Sequence, residues 1–302
     1  MRLAISAQRL AARDPAERRR GATALAHLRA PGQTALLAEA SHDPEQVVRV
    51  ESLAAMSGFG QDRWVQTAVL DALQHPDPVT RTAAVGALGN QWFGEHEVLA
   101  AALLDAQATG DDGLRLAIAR RLATVFDTCQ CGTPGHGSDD ALLAGALTDA
   151  SVEVRRAAAK AMEWFWKFRH LDHVLRLTED ADVGIRASGY VALGHFMLRI
   201  WQEEWVRSLY AEGVELDEDL VIPAQLRGLE DPEPSVRAAT VAGWTAACST
   251  NWSMLTEQGR RTCGGCYPAV MERARTVRGT TNTTPSTPGA PHPVCALVRS
   301  TQ

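Results

Sequence analysis

The chain is short of lysine, of long apolar runs and of paired cysteines, and the last two shortages bear on the class of protein it belongs to. Lys160 and Lys167 are its only lysines, so the basic residues are almost all arginine. No stretch approaches the roughly 20 consecutive apolar residues that a membrane helix needs. Residues Met1 to Leu10 lack the unbroken apolar core of a signal peptide, so a cytoplasmic protein is expected. Six cysteines in 302 residues form no obvious disulfide framework, and reduced thiols are expected. No glycine-rich phosphate loop and no nucleophile elbow occurs. The formal charge of −6 is unevenly spread: residues 1–30 and 258–302 each carry +5, which leaves −16 for the middle. An acidic body of that size argues against a nucleic-acid groove along its length, while the basic ends offer only weaker electrostatic contacts.

What the chain does have is a recurring pattern, clearest from Asp149 to Met162. Read as a helix, Val154, Ala158, Ala161 and Met162 fall at i, i+4, i+7 and i+8, a narrow stripe of mostly small apolar residues. Asp149 or Ser151 is placed to cap its free N–H groups. Aligned on its arginine, the same frame returns at Arg18, Arg49, Arg81, Arg115, Arg155, Arg186 and Arg237. Three residues on stand Gly21, Ser52, Ala84, Ile118, Ala158, Gly189 and Thr240; seven on stand Leu25, Met56, Leu88, Leu122, Met162, Leu193 and Trp244. The weakest copy, Asp112-Gly-Leu-Arg115, places Ile118 and Arg121 where the others carry small residues. A bend or weak point in the stack is expected there.

The spacings between these arginines are 31, 32, 34, 40, 31 and 51. A period of this size is one helix hairpin, and second helical segments are expected at 33–40, 64–74, 98–106, 141–147, 173–177 and 220–229. No hairpin buries its apolar face alone, so the hairpins are expected to stack. Asp-Pro opens four copies, at Asp14, Asp43, Asp77 and Asp231, which suits an aspartate cap followed by proline in the first turn.

The frame Asp-Pro-x-(Val/Thr)-Arg-x-x-Ala-x-x-Ala-Leu resembles HEAT repeats, in particular the short HEAT-like type of the phycobilisome lyases. The resemblance covers about residues 10–250. It implies an all-α, right-handed α-solenoid of stacked helix hairpins over 1–250, with insertions near 127–140 and 201–220. A C-terminal cap at 251–278 and a disordered Thr/Pro/Ser-rich tail at 279–302 complete the expected organisation. The resemblance also implies that Arg18, Arg49, Arg81, Arg155, Arg186 and Arg237 form a structural ladder of hydrogen bonds and ion pairs between successive hairpins. Arg115 belongs to the same series.

Three departures from the period hold the candidate functional residues. The insertion from Asp127 to Asp140 contains Cys129, Cys131 and His136, which with several aspartates are candidate metal ligands, zinc above all. Their spacing matches no standard zinc motif, and a connector with incidental thiols is the alternative. The insertion after Arg186 contains Trp201, Trp205 and Tyr210 beside an acidic run, and the strongest repeat helix ends in Trp164, Phe165, Trp166 and Phe168. These aromatics are the candidate partner-binding surface, or else fill a wider local core. Cys263-Gly-Gly-Cys266 is compatible with half of a zinc site or with a redox pair.

Enzymes that resemble this repeat type imply little that carries over. The deoxyhypusine hydroxylases use several His-Glu pairs as iron ligands, and only His96-Glu97 has that form here. Phycobilin lyases share the repeat without a distinguishing residue to match. A HEAT-like alkylpurine DNA glycosylase would use tryptophan and aspartate on a basic face, which the acidic body opposes. His170 and His173 are one helical turn apart, but two ligands alone make no metal site. The expectation is a non-enzymatic scaffold or adaptor that binds another protein and carries no cofactor. The alternative is a HEAT-like enzyme or enzyme accessory, lyase-type or metal-dependent.

Overall fold

A computed structural model describes residues 2–28, 30–59, 62–89, 97–128, 137–163, 168–200 and 218–249. Among these, every regular element is helical: α1 (Arg2–Leu10), α2 (Pro15–Ala26), α3 (Gln33–Ala40), α4 (Gln46–Ala55), α5 (Arg63–Leu73), α6 (Pro78–Ala87), α7 (Glu97–Thr109), α8 (Asp112–Thr128), α9 (Gly137–Leu147), α10 (Val152–Met162), α11 (Leu171–Leu177), α12 (Val183–Ile200), α13 (Glu218–Arg227) and α14 (Pro234–Ser249). Short 3-10 turns at Phe168–His170 and Gly228–Glu230 adjoin α11 and α13. The chain divides into two compact units, Met1–Ala158 and Ala159–Gln302.

In the first unit the helices form two layers. The arginine-bearing helices α2, α4, α6 and α8 lie side by side in one layer, and α3, α5, α7 and α9 in the other. Each hairpin therefore packs against the one before and after it, the arrangement of an all-α solenoid. In the second unit α12 is the centre, packed against α11, α13 and α14.

Local chemistry sets the helix starts. The carboxylates of Asp14, Asp62 and Asp77 accept hydrogen bonds from Ala16, Trp64 and Val79 N–H, and Pro15 and Pro78 occupy the first helical position, where a missing N–H costs nothing. Asp43 and Asp231 differ from the capping role expected of them. Each stands six residues before its arginine instead of four, so the helix starts later, and the carboxylate accepts from Glu45 and Glu233 N–H in the turn instead. Gly89 follows α6 at φ +56, where a Cβ would collide with the Ser57 backbone; only glycine fits.

The repeat frame is the core. Leu25, Met56, Leu88, Leu122, Met162, Leu193 and Trp244 are all buried, as are Ser52, Ala84, Ile118, Ala158 and Thr240 three residues after their arginines. The small residues sit where neighbours press in. A Cβ on Gly21 would lie 3.0 Å from Leu10 N and Ser6 O, and one on Gly189 would lie 2.9 Å from Thr178 N. Helix α8 runs unbroken through Ile118 and Arg121, and both are buried.

Candidate functional site

Every repeat arginine holds the turn before its own helix, and Arg18, Arg49, Arg81, Arg115 and Arg186 also pair with an aspartate one hairpin on. The Nη1 donates to the carbonyls of the turn just before the helix: Arg18 to Ala12 and Arg13, Arg49 to Asp43 and Pro44, Arg81 to His75 and Pro76, Arg155 to Asp149 and Ala150, Arg186 to Asp180 and Ala181, Arg237 to Asp231 and Pro232. Arg115 makes one such bond, to Gly110 O at 2.7 Å. These carbonyls lie in turns, where no helical N–H reaches them, so the guanidinium fork closes the turn.

In those five the rest of the fork reaches forward to an aspartate one hairpin on. Arg18 pairs with Asp43 at 2.6 Å, Arg49 with Asp77 at 3.3 Å, Arg81 with Asp111 at 2.7 Å, Arg115 with Asp149 at 2.8 Å and Arg186 with Asp231 at 2.9 Å. The Arg18 and Arg186 pairs are bidentate, the geometry that most restricts orientation. In the fourth copy the receiving residue is Asp111. Asp112, which the sequence frame pointed to, instead pairs with its own Arg115 at 2.5 Å. Asp111 stands four residues before Arg115, the offset that Asp77 has from Arg81.

Four of the acceptors, Asp43, Asp77, Asp111 and Asp231, are held ionised. Burial pushes Asp43 and Asp231 up, but hydrogen bonds from Arg18 and Arg186 and from the Glu45 and Glu233 N–H outweigh it, so both lie below the usual carboxylate range. At Asp77 the Thr80 hydroxyl, 2.6 Å away, is the largest cause of a strong downward shift, with Gln46, Val79 N–H and Arg49 adding to it. At Asp111 the Leu114 N–H leads, then Arg81. The hydrogen bond to Asp43, Asp149 or Asp231 correspondingly raises Arg18, Arg115 and Arg186.

The two layers of the first unit expose different chemistry. On the arginine layer, Val47 and Val79 are exposed two residues before Arg49 and Arg81, with Ala54 and Gly86 exposed further along the same helices. On the other layer, Trp64 and Val98 are exposed at the starts of α5 and α7, 42% and 70% open to solvent. The Arg63 guanidinium covers the Trp64 ring, 5.1 Å from its centroid. Seven residues after these two stand Asp71 and Asp105, also exposed, and Glu39 occupies the matching place on α3. Sequence reasoning passed over both faces. The repeated offset from apolar residue to acid, Trp64 to Asp71 and Val98 to Asp105, was the available signal.

Most residues singled out from the sequence lie outside the described residues: Cys129, Cys131, His136, Trp164, Trp166, Trp201, Trp205, Tyr210, Cys263 and Cys266. So does the Phe168 side chain, although its backbone begins the 3-10 turn before α11. His170 and His173 do come together, rings stacked with centroids 6.1 Å apart. Among the described residues no group of three or more His, Cys, Asp or Glu is arranged to hold a metal. Among them, too, no helix is long and apolar enough to cross a membrane.

Comparison with known proteins gives the repeat its name. No curated protein matches the chain in sequence. Among solved structures, the complex of CpcE and CpcF of phycocyanin lyase from Nostoc sp. PCC7120 is 17% identical, with a TM-score of 0.42, over 92% of this chain and 95% of that one. Kap95p, from a structure with RanGDP, is 14% identical with a TM-score of 0.44, over 90% of this chain and 42% of that one. A designed armadillo repeat protein in complex with a (KR)4 peptide is 15% identical with a TM-score of 0.38, over 82% of this chain and all of that one. Scores of this size carry no inference about what this chain binds. The family of HEAT repeats matches residues 34–123, the segment from α3 to α8 in which three consecutive arginines, Arg49, Arg81 and Arg115, each reach an aspartate one hairpin on. In residues 34–123 this chain is similar to HEAT repeats.

Proposed function

We propose that this chain is a non-enzymatic HEAT-repeat scaffold or adaptor whose ligand is another protein. The observation that supports the reading is the contrast between a closed core and open flanks. In the first unit the repeat frame is buried, while Val47 and Val79 on the arginine-bearing helices and Trp64 and Val98 on the other layer stand exposed. Large apolar side chains held in register on a stack of helices suit protein recognition, where a few such anchors dominate affinity. The acidic middle of the chain disfavours nucleic acid as the ligand.

The test is affinity capture with the full chain, followed by cross-linking and mass spectrometry. A stoichiometric protein partner cross-linked to the helical repeats is the expected result. Metal analysis of the purified chain runs in parallel. Stoichiometric zinc or iron with no captured protein would refute the scaffold reading and return attention to Cys129, Cys131, His136, Cys263 and Cys266 as ligands.

A further inference from the structure

The geometry points to the outer face of α3, α5 and α7 as a docking surface for a cationic amphipathic helix of a partner protein. This deepens the scaffold reading and rests on it. The face carries two rows: α3, α5 and α7 pack side by side, α5 and α7 each present an exposed apolar residue and an acid, and α3 adds an acid alone. The apolar row is Trp64 and Val98, the large apolar side chains that this layer leaves exposed. The acidic row is Glu39, Asp71 and Asp105, every one exposed. Seven residues of helix separate the rows, about 10 Å, which is about the diameter of a helix with its side chains.

Charge selects the occupant. Glu97 and Asp62 add acidity at the helix starts, and basic side chains here are few: the Arg63 guanidinium lies on Trp64, and the His42 imidazole sits 3.7 Å from Asp71 with both side chains more than half exposed. The Arg63 stack shows that the Trp64 ring already accepts a guanidinium on its face. A helix laid across α3, α5 and α7 meets the apolar row along one edge and the acidic row along the other. Neighbouring helices packed about 9 Å apart correspond to about six or seven residues of the incoming helix. The ligand therefore carries Lys or Arg at that interval on one edge and apolar residues on the other. An acidic or uncharged helix gains nothing from the second row.

The probe is a fluorescein-labelled synthetic helix of about 18 residues, long enough to cross three helices. Lys and Arg line one edge, Leu and Trp the other, and a counterpart has every base replaced by Glu. Anisotropy titrations use the full chain, the double variant Asp71→Lys with Asp105→Lys, Trp64→Ala, and Val47→Lys as a control on the other layer. All four positions are exposed, and far-UV circular dichroism checks that each variant folds. Expected are binding of the basic probe that weakens with salt, no binding of the acidic one, and a loss of about tenfold or more in the double variant and in Trp64→Ala. Val47→Lys leaves binding unchanged. Absence of binding, equal binding of both probes, or unaltered binding in the α5 and α7 variants overturns the inference. A protein partner captured equally by the wild-type chain and the double variant would sink this face while leaving the scaffold reading intact.

Discussion

Replacing Gly194 by alanine tests the packing of the second unit more sharply than any truncation. A Cβ at Gly194 on α12 would lie 2.5 Å from Gly243 Cα and 2.6 Å from Gly243 O on α14. Unstrained contacts between such atoms need about 3.5 Å, so the two helices must part by about 1 Å. Those atoms are backbone, and no side chain can swing aside. A gap of that size forfeits between a quarter and a half of the dispersion energy of each contact it opens. Overpacking of this kind costs about 3 kcal/mol or somewhat more. Alanine in place of glycine inside a helix returns about 1 kcal/mol through propensity and a less flexible unfolded chain. The net expectation is a loss of about 2 kcal/mol. Gly86 on α6 supplies the control: it is exposed, and nothing lies within 4 Å of its would-be Cβ. Gly86→Ala is expected to gain up to about 1 kcal/mol. Urea denaturation followed by circular dichroism measures both, with hydrogen exchange of α12 and α14 peptides to localise the effect. If Gly194→Ala is as stable as Gly86→Ala, the close approach of α12 and α14 is refuted.

Three further outcomes follow from the ladder and the core. Asp231→Asn leaves the half-buried Arg186 guanidinium without its carboxylate and is expected to cost about 2 kcal/mol by denaturant melting; an unchanged midpoint would remove Asp231 from the structural account. The folded-state values of Asp43, Asp77, Asp111 and Asp231 lie below the unfolded value of about 3.9. Their stabilisation is therefore complete above that value and is lost as pH falls through it toward the folded values. Melting temperature should hold down to about pH 5 and then drop; a rise in stability below pH 4 would contradict the sign. Ala158→Glu places a charge at a site with no solvent exposure and should destabilise by several kcal/mol, read by thermal melting; wild-type melting would put the apolar stripe in the wrong register.

The sequence by itself determined the repeat. Its period, its buried stripe and its helix hairpins follow from local rules: 3.6-residue periodicity, aspartate and proline at helix starts, and small residues at fixed offsets from each arginine. The segment expected at 33–40 is α3, and those expected at 98–106 and 141–147 lie within α7 and α9. Tertiary structure alone decided which aspartate meets which arginine. Asp111 rather than Asp112 receives Arg81, and Asp43 and Asp231 serve the turn and not the helix cap. The reason is that an ion pair between hairpins depends on where a side chain stands in space, and an offset of four or six residues can put a carboxylate within reach. Exposure was decided there as well. Trp64 and Val98 read as ordinary apolar positions in a helix, and only the stacking of α3, α5 and α7 leaves them in solvent above a row of carboxylates. A linear pattern specifies which residues share a helix face, but which face a neighbouring hairpin covers is set by packing over the whole stack.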